Sequence, residues 1–208
     1  MSVTEPGSAR NPNRPDALAE LYTLLSRCFE RPDETFVEAL RSGQFDEELH
    51  SRGALFGLVI PDSPAVESLA DLRVAYRRSF ESYDGAAAPP VESVYEPWHD
   101  GRMRKILSGP AAHDMKRRFE AIDATVPAQC QPDHLAVELE YGSLILEAGE
   151  FDAYEQFHRE HFDWIPAFER RVRETCDEPF YRWAVTVLAR VTEAVEHWLD
   201  ESRSGGET

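Results

Sequence analysis

From Phe180 to Trp198 the residues Phe180, Trp183, Val187, Val191, Ala194 and Trp198 recur at intervals of three or four, which is one face of an α-helix. No proline interrupts the run, so it predicts a long helix whose apolar stripe must be covered by other elements. The same period governs every other strong signal. Leu18, Leu21, Leu25, Cys28 and Phe29 form a first stripe, opened by Pro15-Asp16 and closed by Arg31-Pro32. Residues 33–42 read as a second helix, 45–58 as a weaker third, and Ser63-Pro64-Ala65-Val66-Glu67 opens a fourth that runs to 80 with Ser63 as its cap. Helical signals return over 103–107, 110–125 and 151–174, the last with an interruption at Pro166. Between Tyr83 and Trp98, Gly85, three alanines, Pro89-Pro90 and Pro97 cannot continue a helix, and no period-two pattern replaces it. This is the principal loop of the chain, and loops of that length are commonly functional.

The expectation is therefore an all-α, single-domain helical bundle with a long Pro-rich loop. A chain of 208 residues with 42% hydrophobic content can bury one sizeable core. We place the domain at 15–202, with disordered tails at 1–14 and 203–208. No run of about 18 apolar residues exists to span a membrane, and residues 1–15 lack an apolar signal region, so a cytoplasmic location is expected. Cys28, Cys130 and Cys176 are far apart and form no Cys-x-x-Cys pair, which fits a reducing compartment.

Acidic residues number 39 against 22 basic ones, for a formal charge of -17, and only Lys105 and Lys116 are lysines. A surface of that sign repels phosphate, which argues against nucleic acid and favours a basic peptide as partner. The same acid-rich, lysine-poor composition is also a solvation strategy in concentrated salt, where fields between exposed charges are screened within about 3 Å.

The most informative local stretch is Pro132-Asp133-His134-Leu135-Ala136-Val137-Glu138-Leu139-Glu140-Tyr141. Pro132 suits a first helical position and Asp133 complements the positive helix start. His134 and Glu138 stand one turn apart, while Leu135, Leu139, Gly142 and Leu146 form a separate buried stripe. One face is expected to pack and the other to be displayed for recognition.

This segment resembles the signature helix of the TorD/DmsD/NarJ family of chaperones for molybdenum-cofactor oxidoreductases. Four further stretches are similar to family landmarks in the same order. They are Leu21-Tyr22-Thr23-Leu24-Leu25-Ser26-Arg27 with Phe29 and Pro32, the loop Pro89-Pro90-Val91-Glu92-Ser93-Val94-Tyr95, Phe157-His158-x-x-His161-Phe162-x-Trp164-Ile165-Pro166, and Pro179-Phe180-Tyr181-Arg182. The resemblance is nearest to the TorD/DmsD branch. Departures are Val91 where DmsD-like members often carry Trp, Ser79-Phe80-Glu81-Ser82 in place of Leu-Phe-x-Gly, and Gly142 where many members carry Met.

The resemblance implies an all-helical fold without catalysis, bound metal or cofactor. It implies binding of the twin-arginine leader and the apo catalytic subunit of a molybdoenzyme, with no nucleic acid and no membrane insertion. A second copy of the chain is a further candidate partner. The residues it points to are Pro132, Asp133, His134, Glu138 and Tyr141 of the signature helix, and Pro89, Pro90, Ser93, Tyr95 and Trp98 of the loop. Asp133 and Glu138 would receive the leader's arginines in bidentate pairs. Pro89, Pro90, Tyr95 and Trp98 would wall a groove for its apolar run, or else form a lid on the core. His134, near a helix start, should be neutral, and it serves either as a leader contact or as a cap that staples the preceding segment.

The competing reading is a helical metal enzyme. Glu47 with His50 and Glu155 with His158 have the Glu-x-x-His spacing of di-iron bundles, and His158 with His161 has a zinc-like spacing. Neither pair has evident further ligands, so surface or capping roles are expected for these side chains. The charge pattern makes a separate claim: if acidity serves solvation in salt, raising KCl from low to molar concentration raises the melting temperature, and melting that is independent of KCl excludes salt adaptation.

Overall fold

The computed structural model describes residues 13–81, 87–95, 108–126 and 130–204. Among these residues the chain forms helices α1 (Asn13–Phe29), α2 (Glu34–Ser42), α3 (Gln44–Gly53), α4 (Leu69–Tyr76), α5 (Pro110–Ala121), α6 (Leu135–Glu147), α7 (Phe151–His161), α8 (Ile165–Thr175) and α9 (Pro179–Ser204). A 3₁₀ turn at Ala54–Phe56 extends α3, a π-helical turn at Arg77–Glu81 extends α4, and a 3₁₀ turn at Glu92–Val94 sits within the Pro-rich loop. The only β-type pairing among the described residues is a single antiparallel bridge between Val91 and His134. Among the described residues, no helix is long and apolar enough to cross a membrane.

Several boundaries follow directly from the residues that stand at them. Asp33 caps α2 by accepting from the Phe36 N–H at 2.8 Å, and Gly43 ends it at a φ of 78°, a conformation glycine adopts without a Cβ penalty. Helices α1 and α9 reach Asn13 and Ser204, slightly beyond the expected domain limits of 15 and 202. One start signal and one interruption lie elsewhere than the sequence pattern places them. The fourth helix does not open at Ser63: residues 58–68 are irregular, and Ser68 is the cap, accepting from the Asp71 N–H at 3.1 Å. Ser63 instead donates its N–H and O–H to the Asp46 carboxylate, so a side chain on α3 captured it. The break between α7 and α8 lies at 162–164, and Pro166 occupies an early position of α8, where its missing N–H costs nothing. The helical signal at 103–107 and the loop residue Trp98 lie outside the described residues.

Helix α6 forms the centre of the bundle. Its most extensive contact is with α1, and it also packs on α7. Leu135, Leu139, Gly142 and Leu146 are buried as the stripe predicts, but so are Ala136, Val137, Glu138, Tyr141, Ser143 and Ile145. The helix is enclosed on nearly all sides rather than half displayed. Gly142 allows α1 and α7 to close on it: a Cβ there would stand 2.9 Å from Cδ2 of Tyr22 and 3.3 Å from Cε1 of Phe157. Tyr22 cannot move aside easily, because its hydroxyl bonds Tyr154 at 2.7 Å and lies 3.3 Å from His158 Nδ1 in a fully buried triad. At the other side, α9 lies on α8, and its Tyr181 and Trp183 donate to the carbonyls of Leu72 and Pro61. Gly142→Ala should therefore destabilise the fold: overpacking costs about 1–3 kcal/mol, against only ~1 kcal/mol gained when alanine replaces glycine in a helix. Urea unfolding reads the sign, and a raised midpoint would show that the α1–α6 approach has slack.

Candidate functional site

The Pro-Pro loop and the signature segment form one structural unit. The Leu135 N–H donates to the Pro90 carbonyl at 2.9 Å and the Glu92 N–H to the Asp133 carbonyl at 3.0 Å, on either side of the Val91–His134 bridge. Asp133 reinforces the seam from its side chain. Its Oδ2 accepts both the N–H of Ser93, at 3.0 Å, and the Ser93 hydroxyl. The other end of the loop is anchored where the Ala88 N–H donates to the Ser79 carbonyl at 2.7 Å, inside the π-helical turn.

His134 is the cap of α6, its Nδ1 accepting from the Ala136 N–H at 3.2 Å. An accepting Nδ1 carries no proton, so the ring is neutral, and burial pulls its pKa down to about 4. The expected neutral ring is thus found with a different main cause, burial rather than the helix start. Of its two possible roles, the cap is the one observed in the fold.

Beneath the loop lies a chain of ionisable groups that the sequence reading did not assemble. His161, 3% exposed, holds Glu92 Oε2 at 2.7 Å with Nδ1 and Asp114 Oδ2 at 3.0 Å with Nε2. Burial disfavours its charge, but these two carboxylates outweigh burial and raise its pKa, so the ring is an imidazolium donating twice. Asp114 also accepts from Arg118 at 2.6 Å and from Arg117 at 2.5 Å. Burial opposes its ionisation, yet these bonds hold it at about 2. Arg118 continues to Glu160. Glu138 stands on the other side of Glu92, completely buried. Burial, then the charge of Glu92, raises its pKa well above the ordinary carboxylate value. Trp164 fixes the floor: its indole N–H donates to the His161 carbonyl at 2.8 Å, and Tyr95 stacks on its ring at 5.3 Å.

The displayed-face reading is corrected by this geometry. Asp133 and Glu138 are both 0% exposed, and Tyr141 is buried against Phe119 and Phe157. The reason is that α6 is covered by the loop on the side that a single-helix pattern leaves open. Pro90 and Ser93 are buried as well, whereas Pro89, Tyr95, Pro132 and His134 are partly exposed, and Glu140 is exposed. Tyr95 is therefore in large part the lid that the alternative reading described. His158 and His161 are also inside rather than on the surface or at caps. They point to different partners, His158 to Tyr22 and Tyr154, His161 to Glu92 and Asp114. The Glu-x-x-His pairs do not converge: His50 faces Asp62 on the surface, and Glu155 pairs with Arg159 and Arg203. The clue to His161 was available in the spacing of the 157–166 landmark, but its partners lie 47 and 69 residues away in sequence, beyond any local pattern.

The buried neutral histidines set a pH dependence. His158 is pulled to about 4, chiefly by burial and then by Arg159. The unfolded chain binds its proton near 6.5, so between about pH 6.5 and 4 the unfolded state takes up a proton that the fold excludes. This contribution is complete above 6.5 and is lost on acidification. His161 acts in the opposite sense. His158→Gln should accordingly lose less stability than the parent between pH 7 and 4.5, by up to about 1.4 kcal/mol per pH unit, measured by denaturant titration at each pH. Parallel pH profiles would show that His158 is not excluded from protonation.

Comparison with known proteins places these features in a family. None of the curated proteins matches the sequence. Among solved structures, a chain from Archaeoglobus fulgidus assigned as a redox enzyme maturation protein superposes with a TM-score of 0.55 at 20% identity, covering 91% of this chain and 99% of that one. At that identity the likeness establishes the fold. A family model described as nitrate reductase delta subunit matches residues 42–170, which is more than half of the chain and includes the loop, the signature helix and the His161 network. The chain belongs to the nitrate reductase delta subunit family, the family of NarJ- and TorD-type chaperones for redox enzyme maturation.

Proposed function

We propose that the chain is a cytoplasmic chaperone that binds the twin-arginine leader and the apo form of a molybdenum-cofactor oxidoreductase subunit, and retains it until cofactor insertion is complete. The observation that carries this reading is the seam between residues 90–93 and 133–135, which makes the proline loop and the start of α6 one rigid edge. That edge offers partly exposed Pro89, Tyr95 and Pro132 as an apolar contact. Beside it, the charges of Glu30 and the exposed Glu140 both act on Cys130, two positions before Pro132. A leader that is basic and then apolar fits such an edge, because its arginines meet exposed carboxylates while its apolar run lies on the proline and tyrosine faces.

In this reading the roles divide by burial. Asp133, Glu138, Ser93, Pro90 and Tyr141 hold the edge from within, and Pro89, Tyr95, Pro132, His134 and Glu140 face the leader. Family membership and the maturation protein from Archaeoglobus fulgidus support a maturation role, and the acidic surface supports a basic partner.

The test is a titration of a twin-arginine leader peptide at low salt, with circular dichroism alongside. Glu140→Gln should weaken binding about two- to fivefold, the size of an exposed ion pair of ~0.5–1 kcal/mol, with the helical content unchanged. Asp133→Asn should act by loosening the fold, lowering the unfolding midpoint along with affinity. If Glu140→Gln and Tyr95→Ala both bind the leader as the parent does, the edge is not the leader site.

A further inference from the structure

We propose that Glu92, Glu138 and His161 form a binding site for a divalent transition-metal ion of the Zn²⁺ type, which cross-links the proline loop to α6 and α7. One oxygen from each carboxylate and a ring nitrogen of His161 lie within 4.8 Å of one another, and the three residues are 3%, 0% and 3% exposed. Each comes from a different element: Glu92 from the 3₁₀ turn of the loop, Glu138 from α6 and His161 from the end of α7. Ligands at about 2.0–2.2 Å around a tetrahedral ion stand roughly 3.3–3.6 Å apart, so side-chain shifts of about an ångström complete the set. A water, or the second oxygen of a carboxylate, fills the remaining position.

Three observations separate this cluster from an ordinary group of acids. First, Glu138 is completely buried and its oxygens make no hydrogen bond of ordinary geometry among the described residues, with Glu92 and the Trp164 indole as polar neighbours, so a carboxylate aimed at the cluster is already present. Second, the nitrogen of His161 that faces away from Glu138 is held at 3.0 Å by Asp114, which Arg118 fixes in turn. A metal-binding imidazole characteristically donates its outer N–H to such a carboxylate, which sets its tautomer and orientation. Third, the choice of oxygens and one imidazole suits borderline ions such as Zn²⁺. The adjacent triple of Asp114, Glu160 and His161 is a weaker candidate. Arg117 and Arg118 already neutralise its carboxylates, and Asp114 and Glu160 are not buried.

This inference rests on the core beneath the loop and is independent of the leader reading.

The full-length protein, stripped with a chelator and then equilibrated with ZnCl₂, should retain one Zn²⁺ per chain through gel filtration. Substitution by Co²⁺ should give d–d absorption without a thiolate charge-transfer band, which excludes Cys130 as a ligand. Glu138→Gln should weaken binding by more than about 100-fold, since outer-shell changes alone cost about 10–100-fold, and Asp114→Asn should fall in that lower range. Glu160→Gln should bind as the parent does. Folding of each variant is checked by circular dichroism, and the Co²⁺ spectrum of the parent stands whether or not a variant folds. Less than one ion retained by the parent, a thiolate band, or full binding by a folded Glu138→Gln protein overturns the site.

Discussion

The imidazolium of His161 is the point through which the rest of the site is held together. One nitrogen holds Glu92 of the loop, the other holds Asp114 of α5, and its own carbonyl receives the indole of Trp164, on which Tyr95 stacks. Three stretches distant in sequence meet at one ring. In a buried setting such a charge is tolerable only because both nitrogens have carboxylate partners, and removal of either partner leaves an uncompensated ion, which costs several kilocalories per mole rather than the small net worth of the pair. The geometry is thus self-enforcing. The loop is seated when Glu92 reaches His161, and a loop displaced from the helices strands a charge.

That dependence explains how a loop with little regular structure becomes a defined edge. Residues 87–95 bury Ala88, Val91, Glu92 and Ser93, and the segment's backbone polar groups are met by Ser79, Asp133 and Leu135 rather than by a sheet. Two backbone bonds across the Val91–His134 bridge would be a weak seam alone. The Asp133–Ser93 bonds and the Glu92–His161 pair bracket it on both sides. Apolar packing of Tyr95 on Trp164 and Phe168 then fixes the end of the segment.

The sequence carried the bundle far better than it carried the site. Helices α1, α2, α6 and α9 stand on stripes with helical spacing, and Asp33 and Gly43 mark the ends of α2 as their chemistry requires. Local signals failed where a distant partner competed. Ser63 has every property of a cap, but Asp46 on α3 takes its donors and the helix begins at Ser68. The same failure, on a larger scale, made Asp133 and Glu138 look displayed. Their spacing along one helix is correct, yet nothing in residues 132–141 reports that Pro90, Val91, Glu92 and Ser93 lie against them. A pattern on one element describes which residues share a face; it does not say whether another segment covers that face.

Polar residues on a covered face have a different physical meaning from those on a free one. On a solvated helix start Asp133 would be worth only a few tenths of a kilocalorie per mole, whereas in the core it must find donors or cost more than it gives. Oδ2 of Asp133 finds both donors of Ser93, while among the described residues Oδ1 and the two oxygens of Glu138 make no hydrogen bond of ordinary geometry. The buried polar set is consequently uneven: fully engaged towards α5 through His161, Asp114 and Arg118, and unsatisfied towards α6. Apolar residues of similar volume would pack the same space with less penalty. Retaining acids there is a cost that packing alone does not repay. The less satisfied side of the cluster, rather than the engaged side, is therefore where the proposed ion would add bonds that the protein leaves unmade.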